Sequence, residues 1–218
     1  MSHNGFLITI DGIDGSGKST LLKDLIIFMN CSIASWYGLK LIWTGLPAYY
    51  DEYGEEIRRK LKNGGFKNTA EALDLCTKNI VSHKKKCLDP LLKDKKSLII
   101  CDRYYFSTAA YQSSSLGEAA EVFESRKVYN FPKPDLALWI DIDVDTALKN
   151  IGKRDGESRD CYENIKKLNH CNSVYRMLHK QGHLHRVPFS DLKSDKYQVH
   201  LELTTLVINL MISKGSIK

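Results

Sequence analysis

The sequence predicts an α/β protein of three layers, a five-stranded parallel sheet with helices on both faces. Three observations predict it. Five short apolar runs recur along the chain. Segments with helical patterning separate them. The first run leads straight into "GIDGSGKS", a glycine-rich turn at the start of a helical segment. Short apolar strands alternating with helices build a parallel sheet that is buried on both sides.

"FLITI" at 6–10 reads as the first strand, and a helix follows over 18–29. "LKLIW" at 39–43 is the second strand. Helical patterning covers 55–62 and then 69–92. "SLIIC" at 97–101 is the third strand, with a helical region from Ser107 onward. "LALWIDI" at 136–142 is the fourth strand. Asp143 or Asp145 can cap the next helix, 146–151, by accepting from the free amides of its first turn. Charged residues dominate 153–160. A long helix is expected over 162–180, a fifth strand in "HLHRV" at 183–187, and a last helix over 196–213. Ligands of such sheets bind beyond the carboxyl ends of the strands. Loops 11–19, 44–51 and 101–112 are therefore where chemistry is expected.

The 218 residues, 43% hydrophobic and 27% charged, suit one domain with a substantial core. No run approaches the ~18 consecutive apolar residues of a membrane span. The amino terminus shows no basic region, long apolar stretch or cleavage site of a signal peptide. A cytoplasmic protein without membrane contact is expected. The six cysteines include no CxxC pair, so they read as reduced thiols and not as a zinc site. The formal charge of +6 suits an anionic ligand. Basic residues are dispersed, apart from Lys84, Lys85 and Lys86, and Lys93, Lys95 and Lys96. Both groups read as solvated helix ends, and no nucleic-acid partner is expected.

"GIDGSGKS", Gly12 to Ser19, fits the pattern G-x-x-x-x-G-K-[ST]. Glycines let backbone N–H groups turn inward and cradle phosphate oxygens. Lys18 reaches the outer phosphates, and the Ser19 hydroxyl can ligate Mg²⁺. The helix that starts here points its positive end at the anion. Asp14 is out of character, because phosphate repels a carboxylate. It is expected to face something else, such as a sugar hydroxyl or a metal-bound water.

The third strand ends in "IICDRYYFSTAAYQ". Asp102 at a strand end near Lys18 can hold Mg²⁺ directly or through water. Arg103 can grip a phosphate bidentately. Ser107, Thr108, Tyr111 and Gln112 recur at helical spacing, so they offer polar groups for a sugar and a base.

"GIDGSGKS", "DRYYFSTAAYQ" and "KPDLALWIDID" together resemble the thymidylate kinase family in order and spacing. The resemblance runs from Gly5 to about residue 175. It implies a P-loop kinase fold and a homodimer. It also implies transfer of the γ-phosphoryl group of ATP to a nucleoside monophosphate, dTMP, giving dTDP with Mg²⁺ as cofactor. By position, Gly12, Ile13, Asp14, Gly15, Ser16, Gly17, Lys18, Ser19 and Thr20 would bind ATP. Ser19 and Asp102 would hold the metal. Asp14, Arg103, Ser107, Thr108, Tyr111 and Gln112 would bind the acceptor. In one branch of the family a mobile lid supplies further cations. The matching stretch here is "KRDGESRDCYE", a lid at about 153–162, with Arg154 and Arg159 as candidates beside Lys18 and Arg103 for catalysis.

Two departures touch the acceptor site. The loop after the second strand often reads T-R-E-P in the family, and here it is Thr44-Gly45-Leu46-Pro47. The third helix usually offers a phenylalanine and, one turn later, an arginine. Cys76 and Ile80 stand there, with Lys78, Arg58 or Arg59 as possible substitutes for the charge. A kinase for another nucleoside monophosphate, or a catalytically weak nucleotide-binding paralogue, is therefore the alternative reading.

Overall fold

The computed structural model describes residues 3–153 and 161–217. Five strands form one parallel sheet in the order β2-β3-β1-β4-β5. They are β1 (Phe6–Asp11), β2 (Lys40–Gly45), β3 (Ser97–Asp102), β4 (Leu136–Asp141) and β5 (His185–Pro188). β1 is central, with Ile8 opposite Ile100 of β3 and Leu136 of β4. Every residue of β1 is buried, as its apolar run requires.

Successive side chains leave a strand on opposite faces, so each central strand feeds two cores. On one face Ile8, Ile10, Ile100 and Ile140 pack with α1 (Lys18–Met29) and the last helix. On the other, Leu7, Ile99 and Trp139 pack with helices from the middle of the chain. α1 runs through a π-helical turn, Asn30–Ala34, into the short α2 (Ser35–Tyr37). α3 (Glu52–Lys62) and α4 (Thr69–His83) follow β2. The helix expected over 69–92 is interrupted by a second π-helical turn, Lys84–Leu88, before α5 (Asp89–Leu92).

Beyond β3 come α6 (Tyr105–Tyr111) and α7 (Leu116–Ser125). α8 (Val144–Gly152) begins where Asp143 accepts from the Thr146 amide at 2.7 Å, so Asp143 is the cap and Asp145 is not. α9 (Ile165–Lys180) crosses behind the sheet. α10 (Phe189–Ser194) and α11 (Lys196–Ser213) complete the chain. No helix among the described residues is long and apolar enough to cross a membrane. The six cysteines are free thiols.

The order of the strands reverses at β1, so the loops that follow β1 and β3 diverge and open a crevice at their carboxyl ends. Both loops carry the polar motifs seen in the sequence.

Candidate active site

The first loop joins β1 to α1. Gly15 and Gly17 have φ of 76° and 87°, a region that glycine enters at little cost. At Gly15 a Cβ would also lie 2.2 Å from the Ala147 carbonyl oxygen, so only glycine fits against α8. Asn150 of α8 donates to the Gly15 carbonyl at 2.9 Å and fixes the loop from outside. Gly17 is the residue before α1, and no side chain caps this helix end. Its first amides are left for an anion.

Lys18 is buried and folded back over the loop. Its Nζ donates to the carbonyls of Gly12 at 3.1 Å and Ile13 at 2.8 Å. Burial, and then the charge of Arg103, push its pKa down to about 8, against the pull of Asp14, Asp102 and Asp11. Ser19 and Thr20 are exposed at the mouth of a cavity of about 700 Å³. Gly17, Lys18, Asp102, Arg103 and Phe189 also line it. The Asp102 Oδ1 is buried without a hydrogen-bond partner, and Ser19 faces the same cavity. Two hard oxygens beside a phosphate cradle suit Mg²⁺, which takes few protein ligands and completes its shell with phosphate and water. No cluster of three acidic, histidine or cysteine ligands exists among the described residues.

The second loop turns on Arg103, whose φ of 64° is unusual for a residue with a Cβ. Its amide donates to Ile10 at 2.9 Å, which ties the turn to β1. The guanidinium donates to the Gly12 carbonyl at 3.1 Å, pairs with the Asp14 carboxylate and lies 5.2 Å over the Tyr111 ring. The Tyr111 hydroxyl donates to the other Asp14 oxygen at 2.8 Å and lies 3.0 Å from the Asp14 amide. Asp14 thus faces a cation and a hydroxyl, and this accounts for a carboxylate in a phosphate loop.

Beneath the loops lies a layer in which motif spacing singled out Ser107 and Gln112 but not their partners Asp11, Tyr175 and Tyr162. Buried Asp11 accepts from the Tyr104 amide at 3.1 Å and the Ser107 hydroxyl at 2.6 Å. Ser107 in turn meets the Tyr175 hydroxyl of α9 at 2.9 Å. Burial pushes the Asp11 carboxyl up, while Ser107 and Tyr104 oppose the shift. The Ser107 hydroxyl thus braces the scaffold, and the residue also lines the small cavity beside Arg103. Gln112 is buried and its carbonyl accepts from Tyr162 at 2.8 Å. Tyr162 stacks on Phe66 with ring centroids 6.1 Å apart.

A smaller cavity of about 70 Å³ opens beside Arg103, lined by Leu46, Pro47, Cys76, Ile80 and Thr108 among others. The loop after β2 and α4 thus meet where the sequence placed the acceptor. Lys78 is exposed and paired with Asp74. Arg59 is paired with Glu56, and exposed Arg58 lies 5.4 Å over the Tyr49 ring. None of the three lines this cavity. Arg154 and Arg159, and most of the expected lid, lie outside the described residues.

The two loops bring Lys18 and Arg103 to one carbonyl, that of Gly12, an arrangement suited to anions. Comparison with known proteins gives the family. The family model described as thymidylate kinase matches residues 10–198. The chain is 33% identical over 179 residues to a thymidylate kinase of Desulfotalea psychrophila, covering 82% of this chain and 84% of that protein. It is 32% identical to a probable thymidylate kinase of Sulfolobus acidocaldarius, covering 88% and 91%. Among solved structures, a thymidylate kinase of Ehrlichia chaffeensis superposes with a TM-score of 0.67 at 23% identity, over 93% of this chain and 98% of that one, which supports the P-loop kinase fold. With its phosphate loop, its Asp102-Arg103 turn and most of its length accounted for, the chain belongs to the thymidylate kinase family.

Proposed function

We propose that this protein transfers the γ-phosphoryl group of ATP to dTMP, giving ADP and dTDP. One observation carries the reading. Lys18 and Arg103, from loops after two different strands, both donate to the Gly12 carbonyl at 3.1 Å. Two cations converging on one oxygen mark the point where two anionic substrates would meet.

Phosphoryl transfer asks for alignment and charge neutralisation more than covalent help. The loop amides and Lys18 hold the donor phosphates. Arg103 turns to the acceptor phosphate, and Asp14, still held by the Tyr111 hydroxyl, meets the acceptor sugar. An acceptor phosphate oxygen attacks the γ-phosphorus, and the bond to the β–γ bridging oxygen breaks toward ADP. Ser19 and Asp102 would hold Mg²⁺, which would supply charge neutralisation for the donor phosphates. Arg154 and Arg159 are proposed as lid cations on the strength of their place in the sequence between α8 and α9. We also propose a homodimer, by resemblance to the family, to be tested by sedimentation.

A coupled assay with ATP, Mg²⁺ and dTMP tests the reading. ADP formation that depends on dTMP is expected, and none above background from folded protein would refute it. A second reading is favoured by Cys76 and Ile80 in the wall of the small apolar cavity, and by the uncharged Gly45 just before its Leu46–Pro47 wall. The acceptor is then another nucleoside monophosphate, and a strong preference for one in a panel would establish it.

A further inference from the structure

A loop that contacts a substrate must hold one shape. Residues 44–51 contain no cation, and their single carboxylate, Asp51, is spent at the start of α3, where it accepts from the Gly54 amide at 2.9 Å. The loop is instead fastened to α4 by side chains of that helix that carry no charge of their own. Asn79 accepts from the Ala48 amide at 2.8 Å, donates to the Ala48 carbonyl at 3.0 Å, and reaches Asp51 at 2.9 Å.

One turn further along α4, both ring nitrogens of His83 are engaged. Nδ1 lies 2.7 Å from the Tyr50 hydroxyl and Nε2 lies 3.2 Å from the Thr44 hydroxyl. A neutral imidazole offers one donor and one acceptor, so two hydroxyls satisfy it in either tautomer. The Cys87 thiol adds a weak contact to Thr44 at 3.9 Å. The His83 ring is buried, and burial pushes its pKa down to about 4 against the pull of Asp51. It therefore stays neutral, with this pattern intact, at physiological pH.

Thr44 and Tyr50 bracket Leu46 and Pro47, which form a wall of the small cavity beside Arg103. We infer that His83 is a positioning residue for the acceptor, fixing the Leu46–Pro47 wall by bridging Thr44 and Tyr50. The inference rests on the monophosphate kinase reading above. In it, a neutral clamp on α4 supplies the order of a loop that lacks the family's usual charged pair.

Steady-state kinetics of Tyr50→Phe, His83→Gln and His83→Ala test this, with dTMP or the monophosphate that a panel selects. Tyr50→Phe removes one hydroxyl from a largely exposed side chain, so the fold is expected to survive. Losing one hydrogen bond predicts a rise in acceptor KM of about 3- to 10-fold, with ATP KM and kcat within about twofold. His83→Ala should raise acceptor KM more, by about 10- to 50-fold, and His83→Gln should restore part of the loss. Adding Tyr50→Phe to His83→Ala should have little further effect, because the two share one interaction. A purely structural role would lower Tm and move both KM values together. An unchanged acceptor KM in Tyr50→Phe, or a parallel rise in ATP KM, overturns the inference. Failure of the wild type to use any monophosphate would instead overturn the kinase reading, and this inference with it.

Discussion

Lys18 and Arg103 meet at a shared carbonyl, and burial, then the Arg103 charge, make the lysine's proton easier to lose. The Lys18 pKa falls from 10.5 to about 8 through burial and the Arg103 charge. Between those values the unfolded chain holds a proton that the folded protein without ligand has lost. The free protein therefore gains stability as pH rises through this window. Bound triphosphate reverses the balance by favouring the charged amine. ATP binding should take up a proton above pH about 8, and affinity should fall there by up to ~tenfold per pH unit. Calorimetry in buffers of different ionisation enthalpy counts that proton, and Lys18→Met should abolish both the uptake and the slope. Arg103 offers a separate test. Arg103→Ala should lower kcat/KM by about 10- to 150-fold, the value of a charged hydrogen bond of about 1.5–3 kcal/mol. Arg103→Gly should be as inactive but about 1 kcal/mol more stable than the alanine variant in urea unfolding, because φ of 64° strains any Cβ.

At the scale of elements, the phosphate loop depends on close approach by α8. Gly15→Ala brings a Cβ to 2.2 Å from the Ala147 carbonyl, on top of a positive φ. It should cost about 2–4 kcal/mol in urea unfolding and weaken ATP binding as the loop or α8 shifts. Gly64→Ala makes a control, since φ is +95° but no atom lies within 4 Å. It should cost only about 1–2 kcal/mol and leave ATP affinity unchanged. Much of this level was legible in the sequence. β1, β3 and β4 are legible because apolar runs buried on both sides are distinctive, the edge strands β2 and β5 by their apolar runs although they are only partly buried, and Lys18, Asp102 and Arg103 because their motifs are local. Helix starts were less legible. α3 begins at Glu52, earlier than its apolar pattern suggests, because Asp51 caps it through the Gly54 amide. The support layer was not legible, because Ser107 meets Asp11 across 96 residues and Asn150 meets Gly15 across 135. Such contacts arise only when the sheet brings distant segments together.

The whole molecule is a sheet that feeds two cores at once. Along β1, Phe6, Ile8 and Ile10 face one cluster and Leu7 faces the other. β3 divides in the same way, with Leu98 and Ile100 against one and Ile99 and Cys101 against the other. Neither cluster can lose its strands without exposing its neighbour, so thermal unfolding should be one cooperative transition. The phosphate loop is continuous with β1 and with α1, and is braced by α8 from the opposite face. A ligand held there is thus tied to both cores. With ATP at about 100 times its Kd, binding should add about 2.7 kcal/mol. For a chain of this size that corresponds to a rise in Tm of about 5–10 °C. Scanning calorimetry with and without ATP and Mg²⁺ measures it. The whole transition should move as a single peak. If two transitions appeared and ATP shifted only one, the two faces of the sheet would be unfolding separately, and the coupling through the central strands would be disproved.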